Sequence, residues 1–438
     1  MATILFLIPP FYSHFHPMLT LAEAFRQQDW KVVVGTSDAF APQVKEAGLQ
    51  FETVTISRNA NTGIAAHTRQ AETENERLEA FFQATREGPE ATLLVQSRHR
   101  QADMLADPEG LIRQVNVLNR HHSPTLWVVD QLSYGATLAM KCLKLPFITF
   151  CPPHPFSIPS AEGLFGVPVR WPASFHPDPQ QMAMVEATAT EARTLFTERF
   201  QEMLNRHGSQ ETVTNAFAET SPLAVVYQYP LVGGQSVENR QSIHAGYCFK
   251  PQPLPLEWEK KLARWERGKG RPRILLSFGT FLSRREDVLR RCVRGIRQAF
   301  PQSHILLAAG DSLPLLVSLA DDRTMVEAFL PQTALYSQVD LVIHHGGCNT
   351  FVESLYFGKP MVMLPFSSDQ FHIAADAEAM GVAQVLVPNT FTSEDLTAAL
   401  NHALAMETRQ KVCHWQQELH QRGPAYACRE VVKRCFGT

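Results

Sequence analysis

Short apolar runs alternate with longer amphipathic stretches along the whole chain, the pattern of parallel α/β folds. In the first half the runs fall at Ile4–Ile8, Lys31–Gly35, Leu126–Val129, Phe147–Phe150 and Leu223–Tyr227. Between the first two, Met18–Gln28 places Leu19, Ala22 and Phe25 at helical spacing. Each strand therefore feeds a helix and then another strand, which makes βαβ units. Pro9 and Pro10 end the first run after a strand's length, because proline has no N–H to give to a ladder. The many prolines of Cys151–Pro179 predict a long irregular connection.

A break follows at Lys250-Pro-Gln-Pro-Leu-Pro255, then a charged helix and Gly268-Lys-Gly-Arg-Pro272, the composition of an interdomain linker. Strand-like runs then restart at Ile274–Phe278, His304–Ala308, Met325–Phe329, Leu341–His344, Met361–Leu364 and Val382–Val387, and Pro424–Phe436 reads as a helix. The expected organisation is a first domain at 1–250, a linker at 251–272, a second domain at 273–420 and a final helix within 421–438. The expected fold class is α/β, with two doubly wound, Rossmann-like domains facing each other across a cleft.

Two stretches keep two readings. Thr62–Asp107 is poor in apolar residues and rich in Glu, Arg and Gln, which suits a solvated helix or a mobile helical insertion near an acceptor site. Arg284–Arg297 is basic, with Leu289, Val293 and Ile296 on one side. It reads as a solvated helix face or as a weak peripheral membrane contact.

Composition narrows the function. In 438 residues, 45% are hydrophobic and 19% charged, with a net charge of −3. That balance is globular and excludes disorder, collagen and coiled coil. It also argues against nucleic acid as a partner. Eight scattered cysteines without a CxxC pair argue against a zinc ribbon or a disulfide framework. No apolar run is long enough to span a bilayer, and the opening residues lack the charge and cleavage site of a signal peptide. The expected location is the cytoplasm.

The candidate chemistry lies in Phe329-Leu-Pro-Gln332, then Asp340 through Glu353, Gly358-Lys-Pro360 and Asp369-Gln370. A strand ends at His344 and breaks at Gly346-Gly347, and a helix is expected to start near Asn349, capped by Asn349 or Thr350. Gly358 would stop it. Ligands of open α/β sheets bind at the carboxyl ends of strands, where a helix N-terminus favours a phosphate and glycines let it approach closely. His345 is placed to hydrogen-bond a diphosphate, and Glu353, one turn beyond Asn349, suits a ribose diol. Neither GxGxxG after a strand nor GxxxxGK[ST] is present, so a dinucleotide cofactor and an ordinary P-loop are both disfavoured.

These residues resemble the donor motif of the inverting nucleotide-sugar-dependent glycosyltransferases, which include macrolide, carotenoid, plant secondary-metabolite and UDP-glucuronosyl enzymes. The internal spacing of His345 to Glu353 matches, with Thr350 where serine is usual. The resemblance implies a GT-B fold whose last helix crosses back onto the first domain. It implies that Phe329 stacks on the nucleobase and Gln332 lies near base or ribose. His345, Asn349 and Thr350, with Gly347, would hold the diphosphate, and Glu353 the ribose hydroxyls. Asp369 and Gln370 would read the sugar. The Thr280 loop after Ser277-Phe-Gly279 resembles the family's loop near the donor phosphates. UDP-glucose is the first donor implied; Phe329, where plant members usually carry tryptophan, leaves a dTDP-sugar open.

Pro10-Phe-Tyr-Ser-His14-Phe-His-Pro17 resembles the family's base motif, with His14 as the catalytic base and Asp130 as its partner. Imidazole can take a proton from a weakly nucleophilic hydroxyl at neutral pH, and a carboxylate fixes its tautomer. The implied reaction is an inverting hexosyl transfer to a hydroxylated, lipophilic small molecule, without cofactor or metal. His16 is left as structural or acceptor-lining, and Tyr134 and Trp171 as candidate cleft residues. Three rivals stand beside this reading. They are a nucleotide-sugar epimerase, a non-catalytic nucleotide-sugar-binding protein, and a metal-dependent hydrolase built on His14-Phe-His16 in a barrel.

Overall fold

The computed structural model describes residues 2–57, 72–103, 105–233, 241–265 and 270–437. Two open, parallel sheets organise them. The first is ordered β3-β2-β1-β4-β5-β6-β7. Its strands are β1 (Thr3–Leu7), β2 (Lys31–Thr36), β3 (Gln50–Thr53), β4 (Leu126–Asp130), β5 (Phe147–Cys151), β6 (Val225–Tyr227) and β7 (Ser242–His244). The second is ordered β10-β9-β8-β11-β12-β13. It contains β8 (Arg273–Ser277), β9 (His304–Ala308), β10 (Thr324–Glu327), β11 (Leu341–His344), β12 (Met361–Met363) and β13 (Ala383–Val385). A closed barrel is therefore excluded.

Central strands read as unbroken apolar runs because helices cover both of their faces. Ile4 and Phe6 of β1 pack into one core cluster, while Leu5 and Leu7 pack into another on the opposite face. β8 repeats this, with Ile274 and Leu276 on one side and Leu275 on the other. In each sheet the strand order reverses beside the first strand, between β1 and β4 and between β8 and β11. Crevices for ligands open at such switch points. Most of the candidate residues lie at or just beyond the carboxyl ends of these four strands and of β12, while Phe329 and Gln332 follow the edge strand β10.

The halves meet through buried polar contacts. His154, after β5, lies with Nε2 2.9 Å from Asp376 Oδ2, and both side chains are fully buried. Arg170 and Tyr229 also donate to Asp376, at 2.6 and 3.2 Å. The helix Pro424–Phe436 returns to the first half, where Ala427, Cys428 and Val431 join the core beneath β1. The helix Leu256–Trp265, in the stretch read as linker, buries Trp258, Leu262 and Trp265. Residues 266–269 of that stretch lie outside the described residues.

The Glu- and Arg-rich stretch forms two helices, Glu72–Glu87 and Pro89–Asp103; its residues 62–71 and 104 lie outside the described residues. The last carbonyls of the first helix, which have no intrahelical donor, are capped from the second half. Arg285 Nη1 donates to Thr85 O at 2.8 Å, and Asn389 Nδ2 donates to Thr85 O at 3.0 Å and Arg86 O at 3.1 Å. A guanidinium here also complements the negative end of the helix dipole. Arg285 is only 1% exposed and is further bound by Asp287 and Asn389.

The basic helix, Glu286–Ala299, uses several of its cations internally. Arg291 donates to Asn389 O and Arg297 to Ser303 O and Asp321, while Arg284, just before the helix, pairs with Glu79. These side chains are engaged in contacts within the chain. No described helix is long and apolar enough to cross a membrane.

Candidate active site

The helix Tyr12–Arg26 begins within five residues of β1 and sets His14 in its first turn. At the end of the adjacent strand, Asp130 is fully buried, and its Oδ2 lies 2.8 Å from His14 Nδ1. The other carboxylate oxygen accepts from Leu132 N at 2.8 Å, so a turn of backbone holds Asp130 in place. Because a carboxylate accepts only, Nδ1 carries the proton and Nε2 keeps its lone pair. Burial alone would depress the His14 pKa. The Asp130 charge and hydrogen bond, with Asp369 adding to them, outweigh this and hold it above the usual histidine value.

His16 takes no part in this pair. Its ring packs edge-on against Tyr12, at 4.2 Å, and Phe15, and burial pushes its pKa down to about 4. The two imidazoles of the hydrolase reading therefore do not share one environment. Tyr134 is 1% exposed and sits in the core. Trp171 packs on Phe371 across the halves, with ring centroids 4.5 Å apart.

In the second half, β11 ends at His344, whose Nδ1 accepts from Gly346 N at 3.1 Å; it is fully buried and structural. His345 turns the other way, over the glycines. A Cβ on Gly279 would lie 3.0 Å from its Cε1, and one on Gly347 would lie 2.5 Å from its Nε2. Gly279 also adopts φ +67, a region that disfavours side chains. Burial brings the His345 pKa down to about 4, against a hydrogen bond to the Ser277 backbone, so its imidazole is neutral. Thr280 follows Gly279 in the short helix Gly279–Leu282; its side chain lies outside the described residues.

The helix expected near Asn349 runs Cys348–Tyr356, one residue earlier. Gly347 is the N-cap, and no side chain caps the helix. Asn349 and Thr350 lie inside the first turn instead, because their polar ends have other partners. Asn349 Nδ2 donates to Ser13 O at 3.1 Å, and its Oδ1 accepts from Gln228 at 2.8 Å. Thr350 Oγ1 accepts from Gln332 Nε2 at 3.2 Å. Gly358, at φ +64, ends the helix as expected.

Gln332, Thr350 and Glu353 form one network with Tyr336. Gln332 Nε2 lies 2.8 Å from Glu353 Oε2, and Tyr336 OH donates to the same oxygen at 3.2 Å. Burial raises the Glu353 pKa to about 7, against the pull of these two hydrogen bonds. Burial raises the pKa of Tyr12, and the Glu353 charge adds to the rise. Tyr336 follows Gln332 by one helical turn, a spacing that would have revealed it. Phe329 stands apart, 60% exposed at the end of β10's loop.

Asp369 faces the first half, where its Oδ2 accepts from His154 N at 3.4 Å, and burial raises its pKa. Gln370 is turned back on its own loop. Its Oε1 accepts from Phe366 N at 2.9 Å and Ser367 N at 3.3 Å, and Nε2 reaches Ser367 Oγ. The structure thus gathers His14, Asp130, Asn349 and Asp369 at the seam, and Gln332, Thr350 and Glu353 beside it. Sequence reasoning missed Gln228, Tyr12 and Tyr336.

The sequence pattern of the UDP-glucoronosyl and UDP-glucosyl transferases matches residues 3–427. The chain belongs to this family. Among curated relatives, demethyllactenocin mycarosyltransferase of Streptomyces fradiae is 24% identical over 447 residues, covering 99% of this chain and 86% of that protein. The solved glycotransferase of kitacinnamycin superposes with a TM-score of 0.70 at 18% identity over 99% of both chains. Spinosyn rhamnosyltransferase SpnG complexed with thymidine diphosphate does so with a TM-score of 0.61 at 17% identity, over 98% of this chain and all of that one. The fold of this glycosyltransferase-family member is GT-B, two Rossmann-like sheets joined along a cleft.

Proposed function

We propose that the protein is an inverting, metal-independent glycosyltransferase that moves a hexose from a nucleoside diphosphate sugar to a hydroxyl of a small, lipophilic natural product. The observation that carries this reading is the His14–Asp130 pair, at 2.8 Å, set at the seam where Asn349 of the donor helix touches Ser13. A base and a phosphate-binding helix mouth then act on one substrate pair. His14 Nε2 takes the acceptor hydroxyl proton while Asp130 stabilises the imidazolium. The acceptor oxygen bonds to the anomeric carbon from the face opposite the diphosphate. The carbon–oxygen bond to the diphosphate breaks, and the leaving oxygen keeps the electron pair.

The uncapped mouth of the helix Cys348–Tyr356 and neutral His345 stabilise that leaving group, a preorganised electrostatic role that needs no metal. Phe329 is the surface for the base, Glu353 with Gln332 the ribose contact, and Asp369 the sugar contact. UDP-glucose and a dTDP-hexose are the donors to try first. Relatives and neighbours named for demethyllactenocin, oleandomycin and calicheamicin support a natural-product acceptor. The test is calorimetric titration with UDP, dTDP and their glucose conjugates in EDTA, followed by an acceptor screen read by mass spectrometry. An α-linked donor should yield a β-glycoside. Binding of neither nucleotide would sink the proposal.

A further inference from the structure

A chain of amide hydrogen bonds joins the base helix to the donor helix, and simple chemistry dictates its direction. Pro17 lies inside the helix Tyr12–Arg26. It has no N–H, so Ser13, four residues earlier, loses its usual helical donor. Asn349 Nδ2 donates to that carbonyl oxygen at 3.1 Å. On its other side, Asn349 Oδ1 accepts from Gln228 Nε2 at 2.8 Å, and the same Nε2 donates to Pro152 O at 2.6 Å.

A carbonyl oxygen only accepts. Pro152 O therefore requires the nitrogen end of Gln228, and Ser13 O requires the nitrogen end of Asn349. The two requirements agree, so neither amide can be flipped without setting oxygen against oxygen. Gln228 is 1% exposed, and water has no room to replace it. Its own role is indirect, because it faces Asn349 and backbone rather than the reacting groups.

We propose that Gln228 is a positioning residue for donor binding, holding the Asn349 amide with its N–H edge toward the cleft. There the Ser13 carbonyl takes that N–H in the empty enzyme, and the donor diphosphate takes it in the complex. This rests on the reading that the diphosphate binds at the mouth of the donor helix. Without Gln228, only the Ser13 carbonyl orients the Asn349 amide, and once an anion takes that N–H nothing else fixes which edge faces it.

The test compares UDP and dTDP affinities, with donor KM and kcat, for the wild type, Gln228→Leu, Gln228→Glu, Asn349→Ala and the double variant Gln228→Leu/Asn349→Ala. Uridine and thymidine, which lack the diphosphate, serve as controls by displacement. Gln228→Leu should weaken nucleoside diphosphates by about tenfold, the scale of one charge-assisted hydrogen bond. Donor KM should rise with it, while kcat and nucleoside affinity hold. The double variant should bind no more weakly than Asn349→Ala alone. Wild-type affinity in Gln228→Leu, or a full additive loss in the double variant, would overturn the proposal. Gln228→Glu, equal in size, carries the same expectation should the leucine variant not fold. Failure of the wild type to bind either nucleotide would instead overturn the donor reading.

Discussion

His14 Nδ1 and Asp130 Oδ2 lie 2.8 Å apart, one in the first turn of the helix after β1 and the other at the end of β4, strands paired in parallel with Leu7 beside Val129. The pair is thus a product of strand order. Only the reversal between β1 and β4 brings residues 116 positions apart within one hydrogen bond.

Activity should follow the neutral form of His14. Since Asp130 and Asp369 hold its pKa above the usual value, kcat/KM should rise with pH through a midpoint above about 6.5. Asp130→Asn should move that midpoint down and cut turnover by about 10²–10⁴-fold. His14→Ala should lose turnover while keeping nucleotide affinity. The raised pKa also means that the pair's stabilisation is full below the unfolded histidine value and is lost as pH rises through the folded one. A pH–rate profile and calorimetry on both variants check these outcomes.

Glu353 should couple donor binding to proton release. Burial raises its pKa to about 7, whereas ribose hydroxyls need an ionised acceptor. Nucleotide binding near pH 6–7 should therefore release a proton, seen as a binding enthalpy that varies with the buffer's ionisation enthalpy. In the folded chain the acid form is favoured, so stability is full below the unfolded carboxyl value and falls as pH rises through about 7. Glu353→Gln should remove that fall, gaining on the order of 1–3 kcal/mol relative to wild type at pH 8 over pH 5.

Phe329 should matter to ligand and not to fold. It is 60% exposed, so Phe329→Ala should change stability by less than about 0.5 kcal/mol. Loss of base stacking should weaken UDP and dTDP by about 1–3 kcal/mol. Equal affinities in the two proteins would remove Phe329 from the site.

Arg285→Met should detach the helix Glu72–Glu87 from the second half. The methionine fills part of the space but leaves the Thr85 carbonyl and Asn389 short of a buried charged donor, a loss of about 2–3 kcal/mol. Denaturant unfolding measures the total. Hydrogen exchange should localise the loss to that helix and its neighbour.

The second-half candidate residues could be picked out because a βαβ unit sets such residues at fixed steps after a strand. Gln332 to Gln370 are near in sequence, and the strands that periodicity found lie within two or three residues of their observed bounds. The edge strands Gln50–Thr53 and Ser242–His244 escaped, one half-exposed and the other three residues long. Gln228 was invisible because nothing local marks it; its partner is 121 positions away. The capping expectation failed because Asn349 satisfies the first half before its own helix. Of Thr62–Asp107, the helices were legible from composition, whereas their attachment to the second half through Arg285 and Asn389 was not.

The cap that Arg285 and Asn389 place on the helix Glu72–Glu87 makes an element encoded in the first half depend on the second. Exchanging whole halves between such enzymes to recombine donors with acceptors would therefore cut a helix from its terminator. A chimera of this chain needs Arg285, Asp287 and Asn389 carried across with the first half, or that half would inherit an unsealed helix end.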